Sequence, residues 1–203
     1  MIEAVVFDLG DTLVRFDNRE PHVAWEQRLG LTPGTLWEAV GAAADWNDAF
    51  LGGDEDEPWE LTAKALGLPL TDLPALRADF FACERLEADL LEFARQLRPQ
   101  YRTGILSDAP AGVRAGTIKK FGLDDCFDAV VLSGEIKVGK PDPRAFAAVL
   151  NVLSVRPENT VFVDDRPANL DGATALGMQT LLCTTARETL AALTELLRAD
   201  AQD

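Results

Sequence analysis

The sequence predicts an α/β fold, in which a doubly wound parallel sheet carries a small all-helical cap inserted after the first strand. Three observations support this prediction. Short apolar runs recur along the chain, and most of them end in an acid or a serine. Their hydrophobicity is continuous rather than alternating, which indicates strands covered on both faces. Amphipathic stretches separate these runs, as expected of strand–helix–strand units.

The predicted sheet consists of five strands, and helices alternate with them. The strands cover residues 4–8, 103–108, 129–133, 160–165 and 179–184. The helices cover residues 87–98, 112–121, 143–153, 169–176 and 188–198. A ligand of such a sheet lies beyond the carboxyl ends of the strands. The polar residues that end the strands are therefore the candidate site.

The segment between the first two strands has the character of a separate helical unit. It contains all four tryptophans and is too long for a loop. Its helical patterns cover residues 22–31, 34–51 and 58–68. We therefore predict a core of residues 1–14 and 85–203, and a cap of residues 15–84 whose aromatic side chains form its own apolar centre. We expect His22, the single histidine, at the surface near a helix start.

Composition and charge exclude several classes of partner. The chain has 203 residues and a formal net charge of -15, from 34 acidic and 19 basic side chains. Nucleic acids and anionic membranes bind basic surfaces, so we expect neither as a partner. No apolar run approaches the ~18 residues that span a bilayer. The three cysteines are widely separated, which fits neither a disulfide framework nor a zinc site. We expect a cytoplasmic protein, as a monomer or homodimer.

Four polar clusters fall at the expected ligand-binding edge. Asp8 and the pair Asp164 and Asp165 can share a divalent cation, because hard cations such as Mg²⁺ prefer oxygen ligands. Without a cation, such crowded carboxylates repel one another. The cation leaves positions open for phosphate oxygens. Ser107 offers phosphate a hydroxyl and neighbouring backbone N–H groups, and Lys140 offers a positive charge. Asp8 is then able to attack phosphorus and form an aspartyl-phosphate.

The same clusters resemble the motifs of a known family. The segments FDLGDTL, ILSDAP, GKPDPRAF and VFVDDRPANLDGATALGM are similar, in order, to the four motifs of the haloacid dehalogenase-like (HAD) hydrolase superfamily. The similarity extends from Val5 to Met178, and the third and fourth motifs are highly specific. The place of the helical insertion resembles the C1-type helical cap of subfamily I. The resemblance implies a Rossmann-like core and a hydrolase activity.

The resemblance also implies a role for each site residue. Asp8 is the expected nucleophile, and Lys140 is the second catalytic residue, which holds phosphate and Asp8 together. The expected phosphate-binding residues are Ser107, Asp108, Thr12 and Lys140. The expected ligands of Mg²⁺ are Asp8, the backbone carbonyl of Gly10, Asp164 and Asp165, with Asn169 behind the metal site.

Two residues depart from the usual pattern of the family. Most of its phosphatases have a second Asp two residues after the nucleophile, which protonates the leaving oxygen and later activates water. Here that position is Gly10, and the acid stands at Asp11 instead. A lost proton donor costs roughly 10²–10⁴ in rate, so we expect weak or selective activity. The second departure is Asp108, where asparagine is commoner, and its charge opposes phosphate unless the side chain points into the loop.

These observations predict a Mg²⁺-dependent phosphatase that acts on a small phosphorylated metabolite through Asp8. The replacement for the missing acid is left open between Asp11, a cap residue such as His22 and the substrate itself. A 2-haloacid dehalogenase is one alternative, because those members also lack the second Asp. Those dehalogenases act without a metal, however, and without a cation the paired carboxylates of Asp164 and Asp165 would repel each other. A non-catalytic metal-binding module is the other alternative, which Gly10 favours and an intact Asp8 disfavours.

Overall fold

The computed structural model describes residues 1–43 and 46–202, and it confirms the predicted α/β fold. Along the chain the strands are β1 (Ala4–Phe7), β2 (Val14–Arg15), β3 (Arg85–Leu86), β4 (Arg102–Ser107), β5 (Ala129–Leu132), β6 (Thr160–Asp164) and β7 (Gln179–Leu182). The helices are α1 (Glu20–Leu29), α2 (Thr35–Ala42), α3 (Trp46–Phe50), α4 (Glu57–Ala65), α5 (Leu73–Phe81), α6 (Ala88–Leu97), α7 (Ser133–Ile136), α8 (Pro143–Leu153), α9 (Pro167–Ala175) and α10 (Ala186–Asp200).

The main sheet has five parallel strands in the order β5-β4-β1-β6-β7. Their carboxyl ends therefore lie along one edge. The register pairs Phe7 of β1 with Ile105 of β4 and with Val163 of β6. Asp8, the residue after Phe7, consequently follows β1 beside the last residue of β6. Strand register thus brings together polar residues that are far apart in the sequence.

Two apolar layers cover the sheet, one on each face. Val5 and Phe7 of β1 point to the layer that includes α6 and α10, whereas Ala4 and Val6 point to the layer that includes α8 and α9. Successive side chains of a strand leave opposite faces, so a strand covered on both faces must be apolar throughout. This requirement explains the continuous apolar runs in the sequence.

The core helices lie close to their predicted positions, with one exception. α8 begins after Asp142, whose carboxylate accepts a hydrogen bond from a backbone N–H of the first turn. The predicted helix over 112–121 is instead a 3₁₀ turn at Ala111–Val113 followed by a π-helical stretch at Arg114–Ile118. Gly116 within this stretch has a low α-helix propensity, which disfavours a regular helix there. Among the described residues, no helix is long and apolar enough to cross a bilayer.

The helices α1 to α5 pack around an apolar cluster of their own. Trp25 and Trp59 are buried in it, as expected, whereas Trp37 is 38% exposed and contacts the cluster by stacking on Phe80. The sequence patterns did not predict α5. The single helix predicted over 34–51 is two helices, α2 and α3, and residues 44–45 of that prediction lie outside the described part of the chain.

A short antiparallel ladder forms where the chain leaves the core and where it returns. Val14 of β2 pairs with Leu86 of β3, and Arg15 pairs with Arg85. The predicted cap boundaries, at residues 15 and 84, lie at this ladder. The division of the chain into a core and a cap domain stays a prediction.

The expectation that His22 lies at the surface was wrong. Its ring is 2% exposed and stacks on Phe80 of α5, with the ring centroids 4.7 Å apart. Its Nε2 atom lies 3.1 Å from the carbonyl oxygen of Phe80. Burial lowers the pKa of His22, so the imidazole is neutral near pH 7. The cause is the contact with α5, a helix that the sequence patterns missed.

Candidate active site

Three carboxylates meet at the carboxyl edge of the sheet. Asp8 follows β1, Asp164 ends β6 and Asp165 comes next, and one carboxylate oxygen from each lies within 4.8 Å of the others. Asp8 and Asp164 are buried, and Asp165 is half-buried. The Asp8 backbone N–H donates a 2.8 Å hydrogen bond to the carbonyl oxygen of Val163, which fixes the two strand ends side by side. This cluster offers only hard oxygen donors, as Mg²⁺ and Ca²⁺ prefer.

Lys140 supplies a positive charge to this cluster. Its Nζ atom lies 2.6 Å from Asp8 Oδ1 and 2.7 Å from Asp164 Oδ2, and its side chain is 1% exposed. Burial alone would lower the pKa of Lys140, but the carboxylates of Asp8 and Asp164 outweigh it and raise the pKa. The lysine is therefore charged at neutral pH. The sequence prediction that Lys140 lies beside Asp8 agrees with this geometry.

Without a bound cation, opposing effects act on the pKa of Asp8. Burial raises the pKa of Asp8 to about 7, with a further contribution from Asp164, while Lys140 opposes the rise. Burial also raises the pKa of Asp165, and the nearby charges of Asp164 and Asp11 add to this effect. Carboxylates with raised pKa values in one cleft are typical of functional sites. A bound cation would stabilise their ionised forms.

Asp164 is held by donors from α9 and the turn before it. Its Oδ1 atom accepts a 2.8 Å hydrogen bond from the Arg166 backbone N–H. The Asn169 Nδ2 atom lies 3.1 Å from both Asp164 oxygens, and Asn169 itself is buried. Asn169 was expected behind the metal site, and in the structure it donates to a carboxylate of the acidic cluster. Such donors fix the orientation of a metal-binding carboxylate.

Ser107 ends β4 on the other side of β1, with 4% of its surface exposed. Within the described part of the chain, its hydroxyl makes no hydrogen bond, so it remains able to bind a ligand. The Ala109 N–H is already used, because it donates a 2.9 Å hydrogen bond to Ser133 Oγ. Among residues 1–43 and 46–202 no backbone oxygen accepts from the Asp108 N–H, so this group can donate to an anion.

The Asp108 side chain does not point towards a phosphate position. Its Oδ1 atom accepts a 2.8 Å hydrogen bond from the Lys140 backbone N–H. The carboxylate also lies against Gly139, where a Cβ atom would come within 2.8 Å of Oδ1. The side chain therefore holds the loop that carries Lys140. This is the orientation into the loop that a phosphate site beside Asp108 requires, and the expected role of Asp108 in phosphate binding stays a prediction.

Thr12 is completely buried, and its hydroxyl oxygen has no hydrogen-bond partner among the described residues. A buried hydroxyl without a partner costs about 1–3 kcal/mol, so such a group usually has a function or a bound partner. Thr12 follows Asp8 by four residues and precedes Leu13, which is fully buried. Its expected role in phosphate binding stays a prediction.

Gly10, which stands where most phosphatases of the family have a second Asp, has room for a side chain. Gly10 is not in the left-handed region, and a Cβ atom added there would have its nearest neighbour at 3.9 Å, the Cε2 atom of Phe16. Asp11, by contrast, has a φ of 52°, a conformation that favours glycine. The Asp11 side chain is exposed. Gly10 can still offer its backbone carbonyl to a cation.

The chain belongs to the haloacid dehalogenase-like hydrolases, because the model of that family matches residues 2–177. The protein is accordingly a hydrolase of this family. The fold and the acidic edge of the sheet agree with this assignment.

Three proteins with which this chain shares sequence or structure are the following. An (S)-2-haloacid dehalogenase from Xanthobacter autotrophicus is 30% identical over 191 residues, covering 87% of this chain and 73% of that protein. A validoxylamine A 7'-phosphate phosphatase from Streptomyces hygroscopicus subsp. limoneus is 27% identical over 187 residues, covering 88% of this chain and 84% of that protein. A predicted HAD-like family hydrolase from Porphyromonas gingivalis has a structure that matches with a TM-score of 0.77 at 27% identity, covering 98% of both chains. The relatives thus include a phosphatase and a dehalogenase.

Proposed function

We propose that this hydrolase is a Mg²⁺-dependent phosphatase of a small phosphorylated metabolite, with Asp8 as the nucleophile. The observation that carries the proposal is the charge balance of the site. Three carboxylates, Asp8, Asp164 and Asp165, share one edge with a single buried ammonium group, that of Lys140. Such a surplus of negative charge favours a divalent cation and opposes an anionic substrate without one. The similarity to a phosphatase supports the same reading.

The proposed ligands of the cation are Asp8, Asp164, Asp165 and the Gly10 carbonyl. When bound, Mg²⁺ neutralises these acids and stabilises the charge that develops on phosphoryl oxygens. The residues around it bind and orient the substrate. The Ser107 hydroxyl and the Asp108 N–H donate to phosphate oxygens, while Lys140 keeps a positive charge beside Asp8.

The proposed reaction has two displacements at phosphorus. An ionised Asp8 oxygen forms a bond to phosphorus as the bond to the leaving oxygen breaks, which gives an aspartyl-phosphate and an alcohol or phenol. Water then attacks the phosphorus, and inorganic phosphate and the Asp8 carboxylate are released. Because Gly10 has no acid and the Asp11 side chain is exposed, we propose that the leaving oxygen takes its proton from water or from the substrate. We therefore propose that phenolic leaving groups react much faster than aliphatic ones.

A direct test uses 4-nitrophenyl phosphate, whose leaving group needs no proton donor. We expect turnover with Mg²⁺, loss of turnover in EDTA, and a loss of more than about 10³-fold in Asp8→Asn. Asp72→Asn is the matched control, because Asp72 is on the cap surface and pairs with Arg28. Turnover that survives Asp8→Asn would reject the mechanism. Mg²⁺ binding without turnover of any phosphate ester would favour a non-catalytic module.

Dehalogenation is the second candidate, because a dehalogenase is the 30% identical relative and Gly10 supplies no acid. The site disfavours it, since a metal-free reaction leaves Asp164 and Asp165 facing Asp8 without a cation. Halide release from (S)-2-chloropropionate in the presence of EDTA separates the two. Halide release at a rate above that of 4-nitrophenyl phosphate hydrolysis would replace the phosphatase proposal.

A further inference from the structure

A cleft beside the loop that follows Asp8 is lined mostly by charged side chains. It is lined by three arginines and three acids: Arg15, Arg19, Arg85, Asp11, Asp17 and Glu87. Phe16 also lines it. The cleft lies next to Gly10, because Phe16 in its wall comes within 3.9 Å of the Cβ position of Gly10.

Two of the three arginines are already neutralised. Arg15 Nε lies 3.1 Å from Glu87 Oε1. Arg85 forms a two-pronged contact with Asp17 and also lies 3.1 Å from Glu87 Oε1. These pairs use both acids on that side of the cleft. Arg15 and Arg85 therefore belong to the β2–β3 ladder and its ion pairs, and we do not assign them to ligand binding.

Arg19 differs from the other two arginines. Within residues 1–43 and 46–202, its guanidinium has no carboxylate within salt-bridge distance, although the chain carries a net charge of -15. Its Cζ atom lies 3.6 Å from the centroid of the Trp37 ring. Stacking on an aromatic face restricts a guanidinium while its N–H donors remain free at the edge of the plane. Arg19 is thus a restrained cation with unused donors.

The aromatic side chains of Phe16 and Trp37 lie between Arg19 and Gly10. The Cε2 atom of Phe16 is 3.9 Å from the Cβ position of Gly10, and the Phe16 ring lies 6.1 Å from the Trp37 ring, on which Arg19 stacks. Asp11, which also lines the cleft, directly follows Gly10, whose carbonyl is a proposed ligand of the cation. The cleft therefore has an acid beside the proposed cation site and a cation at Arg19, and Phe16 lies next to Gly10.

We propose that Arg19 binds a carboxylate of the substrate, so that the substrate is a phosphate ester that also carries a carboxylate group. This inference rests on the proposed phosphatase function and adds the class of its substrate. The phosphate is held at Asp8, the body of the ester lies along Phe16, and the carboxylate accepts hydrogen bonds from the free edge of the Arg19 guanidinium. A planar guanidinium matches a carboxylate with two parallel hydrogen bonds.

The test compares matched pairs of aryl esters, which suit a site without a proton donor. The probes are the 3- and 4-carboxyphenyl phosphates and the corresponding carbamoylphenyl phosphates, in which an uncharged amide replaces the carboxylate. In the wild-type protein we measure kcat/KM for each ester with Mg²⁺. In Arg19→Met we expect kcat/KM to fall about tenfold or more for one of the carboxylated esters and less than about threefold for its amide partner, as expected for a charge-assisted hydrogen bond. Comparing the two proteins cancels the intrinsic reactivity of each ester.

Arg28→Met is the matched control, because Arg28 also stacks on a tryptophan, Trp25, but lies outside the cleft and pairs with Asp72. It should change both members of each pair equally. Equal losses for carboxylate and amide in Arg19→Met would overturn the proposal while leaving the phosphatase function intact.

Binding of 3- and 4-carboxyphenylphosphonate, which cannot be hydrolysed, provides a readout that does not need turnover. Calorimetry should show weaker binding of at least one of these phosphonates to Arg19→Met, with no such change for its amide. If no phosphate ester is turned over, this result still decides between an anion site at Arg19 and none. Unchanged affinity for both carboxylated phosphonates would reject the site.

Discussion

The amino group of Lys140 lies 2.6 Å from Asp8 Oδ1, and both side chains are almost fully buried. The same amino group lies 2.7 Å from Asp164 Oδ2. One ammonium group thus connects the carboxyl ends of β1 and β6. The electrostatics of the site depend on this contact, because Asp165 adds a third negative charge within 4.8 Å.

Replacing Lys140 should destabilise the protein as well as abolish turnover. In Lys140→Met we expect the free energy of unfolding in EDTA to fall by about 3–5 kcal/mol, since buried carboxylates lose their partner. Mg²⁺ should restore part of this loss. Urea denaturation with and without Mg²⁺ measures both effects. Lys64→Met, at an exposed position, should change stability by no more than about 0.5 kcal/mol. Equal stability of Lys140→Met and wild type in EDTA would contradict the electrostatic role.

The Asp108 hydrogen bond predicts a difference between two substitutions. Asp108→Asn keeps an oxygen that can accept from the Lys140 N–H, whereas Asp108→Ala removes it. We expect kcat/KM for 4-nitrophenyl phosphate to stay within about threefold of wild type in Asp108→Asn and to fall about tenfold or more in Asp108→Ala. A role confined to stability would instead lower the melting temperature with kcat unchanged. Similar activity of the two variants would show that this contact does not position Lys140.

The sheet could be predicted from the sequence because its strands are covered on both faces. That requirement produces continuous apolar runs, such as Ala4–Phe7 and Thr160–Asp164, which differ clearly from amphipathic helices. The acids at their ends were assigned to one site by the rule that ligands lie beyond the carboxyl ends of parallel strands. β2 and β3 were not predicted because strands of two residues are too short to show a hydrophobic pattern. α5 was not predicted because its sequence, LPALRADFF, shows little separation of apolar and polar faces.

The parts of the site that were not predicted depend on contacts between distant segments. Asp108 and Lys140 are 32 residues apart, so the sequence could not show that the Asp108 carboxylate receives the Lys140 N–H. The burial of His22 depends on Phe80, which follows it by 58 residues. The ion pairs of Arg15 and Arg85 with Glu87 likewise depend on the β2–β3 ladder, which the sequence did not show.

Mg²⁺ affinity should depend on pH through Asp8. Without a cation the pKa of Asp8 is raised to about 7, mainly by burial, and burial raises that of Asp165 as well. A carboxylic acid is protonated below its pKa, and protons must leave before the oxygens bind Mg²⁺. We therefore expect the Kd for Mg²⁺ to be nearly constant above pH 8 and to rise about tenfold or more per pH unit below pH 6.

Calorimetry at pH 5.5, 6.5 and 8 measures this dependence, and buffers with different ionisation enthalpies report the number of protons released. In Asp8→Asn fewer protons should be released and the pH dependence should be weaker.

The same substitution removes a buried acid that opposes folding when ionised. Because a raised pKa means that the folded state loses stability as pH rises towards 7, Asp8→Asn should stabilise the metal-free protein more at pH 8 than at pH 4. A Kd for Mg²⁺ that does not change between pH 5.5 and 8 would contradict the raised pKa.

Moving the acid from position 11 to position 10 should give the site a proton donor. Gly10 has space for a side chain, since the nearest atom to its Cβ position is 3.9 Å away, and Asp11 has a φ of 52°, which glycine adopts readily. In the double variant Gly10→Asp/Asp11→Gly we expect kcat for an alkyl phosphate to rise by about 10²-fold, because such leaving groups need a proton. For 4-nitrophenyl phosphate the rise should stay below about tenfold, because its leaving group is already stable as an anion.

Gly10→Asn/Asp11→Gly is the matched control for this double variant, because asparagine fills the same space but carries no acidic proton. It should leave the alkyl phosphate rate at the wild-type level. A pH profile of the aspartate variant should show a new limb in kcat, where the introduced acid loses its proton. If the aspartate and asparagine variants hydrolyse the alkyl phosphate equally slowly, then Gly10 is not the reason for the low activity, and the proton donor must come from another part of the site.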